Sequence, residues 1–244
     1  ETGRGQPAST STTQTTATAA PTTPVPTQDI TYPGRDGTLM GAYAPATAPR
    51  GAVLVIHENR GLVEGTKAVA GRLAGDGFTA LAVDLLSKEG GTARVPADQV
   101  RVILNDAGRP RLLADVRSSI DELARRHPSL KLCVTGFCFG GTVTWDLLAD
   151  GEARLAAAAP WYGTVPADVD FSKSRAAVFA VYGETDARVN ATREAARSAL
   201  EKAGLTHEIK TYPGVGHAFY NQVDSPQSRE AYQDVVNWFG RHLR

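Results

Sequence analysis

Two unbroken apolar runs stand out first: Gly51-Ala-Val-Leu-Val-Ile-His57, with turn residues at both ends, and Phe78 to Val83. A run without alternation suits a strand covered on both faces, as in a parallel sheet. Between them, Ala68, Val69, Leu73 and Ala74 keep helical spacing across Val63 to Asp76, closed by Gly75-Asp76-Gly77. The same reading predicts helices over 97–107 and 111–127, the second with Leu112, Leu113, Val116, Ile120 and Leu123 on one face. Beyond them come a strand at Leu130 to Thr135, a helix at Gly141 to Ala149, and strands at Leu155 to Ala159 and Val178 to Tyr182. A helix at Thr192 to Ala203, a strand at His207 to Tyr212 and a helix at Arg229 to His242 complete the pattern. Ahead of all these, Asp29 to Ala44 reads as a hairpin about Gly34-Arg35-Asp36-Gly37. Apolar strands alternating with helices define an α/β chain: an open, mostly parallel sheet with helices on both faces.

Composition narrows the partners. The 26 basic residues balance the 26 acidic ones, so no net field draws the chain to nucleic acid or an anionic membrane surface. No apolar run approaches the roughly 20 residues of a spanning helix. Residues 1–28 differ from the rest. Ala8 to Gln28 consists of Thr, Ser, Ala, Pro, Gln and a single Val, has nothing substantial to bury, and is expected to be a disordered tail. Glu1-Thr2-Gly3 reads as a scar, and tails of this kind suggest export to the periplasm, cell surface or medium. The globular domain is expected over 29–244.

The chemistry concentrates in Leu132-Cys-Val-Thr-Gly136-Phe-Cys138-Phe-Gly140-Gly141, where a predicted strand meets a predicted helix. This is the G-x-nucleophile-x-G turn, with cysteine at its centre. The turn needs glycines because side chains two positions either side of the nucleophile would collide. It would lift the Cys138 sulfur above the sheet at a helix N-terminus, where free N–H groups and the dipole favour thiolate. The N–H of Phe139 would be one oxyanion donor. Cys133 falls inside the strand and reads as packing; a disulfide to Cys138 would require its ends within about 7 Å, whereas the extended chain between them spans roughly 15 Å.

A cysteine nucleophile needs a base and the base an orienting acid. After the strand ending at Tyr182 comes Gly183-Glu-Thr-Asp186, and after the next strand Tyr212-Pro-Gly-Val-Gly216-His217. Asp186 is the expected acid, with Glu184 its rival, and His217 the expected base. Of the other histidines, His57 ends a strand and could line the cleft, His127 suits a helix end, His207 starts a strand and His242 lies in the last helix. Asn190-Ala191-Thr192 is a glycosylation sequon, but Asn190 reads as a helix cap. No metal-ligand spacing is present.

With these residues the sequence resembles the dienelactone hydrolase family of α/β-hydrolases. The matching stretches are Val55-Ile-His-Glu-Asn-Arg-Gly61, Phe78 to Leu85, Val134 to Gly141, Trp161-Tyr-Gly163, Gly183 to Val189 and Gly216-His217. The resemblance implies an α/β-hydrolase fold and a cofactor-free hydrolase of small-molecule esters or lactones. It implies that Glu58 pairs with the resting Cys138 until substrate frees the thiolate toward His217. It also implies that Asn59 N–H is the second oxyanion donor, and that Tyr162 lines the pocket, although a core aromatic would fit that position as well. Well-known members carry an arginine four residues past the histidine; here that position is Asn221. Binding of a substrate carboxylate would then fall to Arg60, Arg94 or Arg188, each of which reads more readily as a solvent-facing charge. The short connection between the strands ending near Tyr162 and starting near Val178 leaves no room for a large cap, and a monomer is expected. The rival functions are an exported esterase or deacetylase acting on polysaccharide or polymeric esters, a non-catalytic hydrolase-like binding domain, and a thiol redox sensor.

Overall fold

The computed structural model describes residues 22–243. Its strands are β1 (Gln28–Gly34), β2 (Gly37–Ala44), β3 (Gly51–Ile56), β4 (Phe78–Asp84), β5 (Leu132–Phe137), β6 (Leu155–Trp161), β7 (Ala177–Gly183) and β8 (His207–Tyr212). Its helices are α1 (Glu64–Gly75), α2 (Ala97–Asp106), α3 (Arg109–Arg126), α4 (Phe139–Asp150), α5 (Ala187–Asn190), α6 (Arg193–Lys202) and α7 (Pro226–His242). One sheet of eight strands runs in the order β1-β2-β4-β3-β5-β6-β7-β8. The first two strands pair antiparallel with their neighbours and the remainder pair parallel. The apolar runs explain this arrangement: every residue of β3, β4, β5 and β7 is buried, whereas the edge strand β1 mixes exposed and buried positions.

Right-handed crossovers decide which face each helix takes. The chain moves from β3 to β4 in one direction and from β4 past β3 to β5 in the other, so α1 covers one face and α3 the opposite face. α4 joins α3, tied by the Arg109–Asp146 ion pair at 3.1 Å. α7 joins α1, with the Arg72 guanidinium 3.9 Å over the Tyr232 ring. The reversal at β3 opens a crevice at the carboxyl ends of β3 and β5, the position where open α/β sheets bind ligands. No large domain is inserted between Trp161 and Ala177.

Of the expected tail, residues 1–21 lie outside the described residues. Residues 22–27 are not free, because the chain there lies along α1. Val25 N–H donates to the Gly71 carbonyl at 2.9 Å, and the Thr22 hydroxyl bonds Asp76. Gly71 and Gly75 allow the approach, since a Cβ at either would overlap the Val25 or Thr23 carbonyl oxygen. Composition could not reveal this, because a few contacts hold the strap: the Val25 N–H, the Thr22 hydroxyl and the partly buried Val25 side chain.

Candidate active site

β5 ends at Phe137 and α4 begins at Phe139, so Cys138 alone makes the turn, at φ 56 and ψ −112. A non-glycine residue there is strained by about 1–3 kcal/mol. Its backbone is fixed from both sides: Cys138 N–H donates to the Trp161 carbonyl and its own carbonyl accepts from Thr142 N–H, each at 3.0 Å. The flanking glycines work through close approach. A Cβ on Gly136 would overlap the Gly140 carbonyl, and one on Gly140 would overlap the carbonyl oxygens of Ile56 and His57. The first turn of α4 is thereby seated on the end of β3. Phe139 N–H occupies the first position of α4, where the helix offers no acceptor.

Asp186 follows β7, is buried, and caps α5 by accepting from Val189 N–H. Its Oδ2 lies 2.6 Å from His217 Nδ1, and His217 Nε2 lies 3.0 Å from Cys138 Sγ. The loops bearing acid and imidazole are clasped together. Thr185 N–H donates to the Val215 carbonyl at 3.0 Å, and Glu184 accepts from Gly214 N–H at 2.7 Å. Glu184, the rival acid, is therefore a brace for the histidine loop. Asn190 is not a helix cap; its amide donates to the Gly183 and Glu184 carbonyls and supports the acid loop from beneath. The Cys138 sulfur raises the His217 pKa to about 9, with Asp186 adding to the effect and partial burial opposing it.

Glu58 departs from expectation. Its carboxylate accepts from Asn221 Nδ2 at 3.1 and 3.3 Å, from Tyr162 Oη at 3.4 Å and from Arg60 at 3.3 Å, while the cysteine sulfur sits on His217. The expected resting pair of Glu58 with Cys138 is thus replaced by a Glu58–Asn221–Tyr162 cluster beside the thiol. Tyr162 can serve as the donor because burial, reinforced by Glu58, pushes its phenol far above the ordinary value. Its ring packs edge-on against His217 with 5.2 Å between centroids, so it belongs to both core and site. Arg60 stays largely in solvent, with 60% of its side chain exposed. Arg94 is exposed on the short turn Thr92–Arg94, where it packs by Gly90, and Arg188 is exposed on α5; neither bonds a site residue among the described residues. Asn59 follows Glu58 on the same loop and is partly buried. His57 does not line the cleft, being fully buried beneath that loop. Cys133 is buried in β5, and both cysteines are free.

Among the described residues no group of three or more His, Cys, Asp or Glu side chains could hold a metal ion, and no helix is long and apolar enough to cross a membrane. Asn221, marked in the sequence only as the position where the family's arginine is lacking, donates to Glu58 from a loop far along the chain, a contact that leaves no local signature.

The strand order, with its reversal between β3 and β5, is that of the α/β-hydrolase fold. The chain belongs to the dienelactone hydrolase family, whose profile matches residues 40–243. It is 30% identical to a provisionally named carboxymethylenebutenolidase of Yersinia pestis over 80% of each chain. A second protein so named, from Methylorubrum extorquens, is 28% identical over 88% of this chain and 80% of its own. The solved structure of a provisionally named dienelactone hydrolase from Klebsiella pneumoniae superposes with TM-score 0.74 and 26% identity, covering 87% of this chain and 97% of that one. The protein is therefore a hydrolase acting on ester or lactone bonds.

Proposed function

We propose that the chain hydrolyses small, uncharged esters or lactones through a Cys138–His217–Asp186 triad and a thioester intermediate. The observation that carries this reading is the 3.0 Å contact from Cys138 Sγ to His217 Nε2, with Asp186 2.6 Å from the other ring nitrogen. The Cys138 thiolate attacks the carbonyl carbon, and the C=O electron pair moves onto oxygen. That oxyanion accepts hydrogen bonds from Phe139 N–H and Asn59 N–H. On collapse the C–O bond breaks, and the leaving alkoxide takes the proton from His217. Neutral His217 then removes a proton from water, whose oxygen attacks the thioester. Sulfur leaves as thiolate beside the restored imidazolium, and the acid product departs. Asp186 holds the Nδ1–H tautomer throughout, and the steps need no cofactor.

Substrate charge follows from the cleft wall. The Glu58 carboxylate is braced there by Asn221 and Tyr162, and its cation Arg60 is mostly in water. A substrate carboxylate would meet this charge without a buried arginine to receive it. The test is turnover of p-nitrophenyl acetate and of small lactones, with and without a free carboxylate, by the parent and Cys138→Ala. The variant should lose about 10³-fold or more, and the carboxylate-free compounds should be hydrolysed fastest. Equal rates for parent and variant would overturn the thiolate reading.

A further inference from the structure

The mechanism uses no atom of His57, yet this imidazole is fully buried directly beneath the cleft. Its Nε2 lies 3.1 Å from the N–H of Leu85, in the segment leaving β4. An N–H donor facing Nε2 requires a lone pair there, which leaves the ring proton on Nδ1. Nδ1 lies 2.7 Å from the carbonyl oxygen of Glu58, so it donates to that oxygen. Gly61 N–H donates to the same oxygen at 3.2 Å.

The Glu58 carbonyl and the Asn59 N–H belong to one peptide unit. Such a unit is planar and trans, and its C=O and N–H point in opposite directions. Drawing the carbonyl down onto a buried ring therefore turns the Asn59 N–H away from the core and toward the crevice. The backbone of His57 also touches the other oxyanion donor's support, since Gly140 in the first turn of α4 lies against the Ile56 and His57 carbonyls. One residue thus ties together the loop that presents Asn59 N–H and the helix that presents Phe139 N–H.

We infer that His57 is a positioning residue, aiming the Asn59 N–H into the oxyanion hole by holding the Glu58 carbonyl. This rests on the thiolate reading above. The ring is held neutral: burial lowers its pKa, outweighing the hydrogen bond to the Glu58 carbonyl and the nearby Asp84 and Glu58 carboxylates. A protonated ring would oppose an N–H to the N–H of Leu85.

Two reactions of Cys138 separate aim from general integrity. Alkylation by iodoacetamide needs the thiolate but forms no tetrahedral oxyanion, whereas ester hydrolysis needs both. In His57→Leu, kcat for p-nitrophenyl acetate should fall roughly 10- to 100-fold, somewhat less than deletion of an oxyanion donor. KM and the iodoacetamide rate should stay within about twofold of the parent. His57→Asn places an amide donor where Nδ1 was and should restore most of the lost kcat. His57→Gln reaches toward Leu85 instead and should stay slow. If His57→Leu does not fold, the Asn and Gln variants carry the comparison. Equal loss of alkylation and hydrolysis, or a Gln variant as fast as the Asn variant, would overturn the inference. Parent turnover that survives Cys138→Ala would instead defeat the thiolate reading, and this inference with it.

Discussion

Cys138 holds a backbone conformation that side chains avoid, and the turn closes because the residues two positions to either side, Gly136 and Gly140, carry none. The cost of adding one can be stated. In Gly140→Ala the new methyl would meet the carbonyl oxygens of Ile56 and His57, which are backbone and cannot swing aside. Overpacking of this kind costs about 2–3 kcal/mol, so the urea midpoint should fall and ester turnover should drop with it. The His217 contact makes a second residue-scale prediction. Its pKa is raised from 6.5 to about 9, chiefly by Cys138, so the contact's stabilising effect is complete below pH 6.5 and is lost as pH rises through about 9. Denaturation of the parent and Cys138→Ala across pH should show the pH-dependent part of the parent's advantage near pH 6 and its disappearance above pH 9. The meeting of residues 138, 186 and 217 was legible beforehand, since each follows a strand and all strands of a parallel sheet end on one side. The partners of Glu58 were not, because Asn221 and Tyr162 reach it from loops far apart in the chain.

At the scale of elements, hydrophobic periodicity located every strand and all the long helices, with ends displaced by a few residues. β5 begins at Leu132 rather than Leu130, and α7 starts at Pro226 rather than Arg229 because Ser225 caps it. The four-residue α5 escaped notice, being too short for a repeating pattern. The strap of residues 22–27 escaped for a different reason: its mostly polar composition points to disorder, while the Val25 N–H, the Thr22 hydroxyl and the Val25 side chain hold it in place. Gly71→Ala tests this. Alanine should favour the helix by about 1 kcal/mol over glycine, yet its methyl would displace the Val25 carbonyl. Proteinase K should therefore cut within residues 22–28 several-fold faster than in the parent, with ester turnover within about twofold.

For the molecule as a whole, the sheet's reversal sets the cleft and the short β6–β7 connection leaves it without a large lid. The His217 side chain is 34% exposed, so solvent water can reach its ring. The described chain ends both lie elsewhere. Thr22 bonds Asp76 just ahead of β4, and Leu243 packs on Gly51 at the start of β3. Both are at the amino ends of parallel strands whose carboxyl ends carry the chemistry. A bead coupled through a cysteine introduced at exposed Thr22 should thus grip the protein by its foot and leave its mouth facing the liquid. Immobilised enzyme should keep kcat/KM within about twofold of the free form, whereas anchoring through a cysteine introduced at exposed Val223, two residues past Asn221, should obstruct entry.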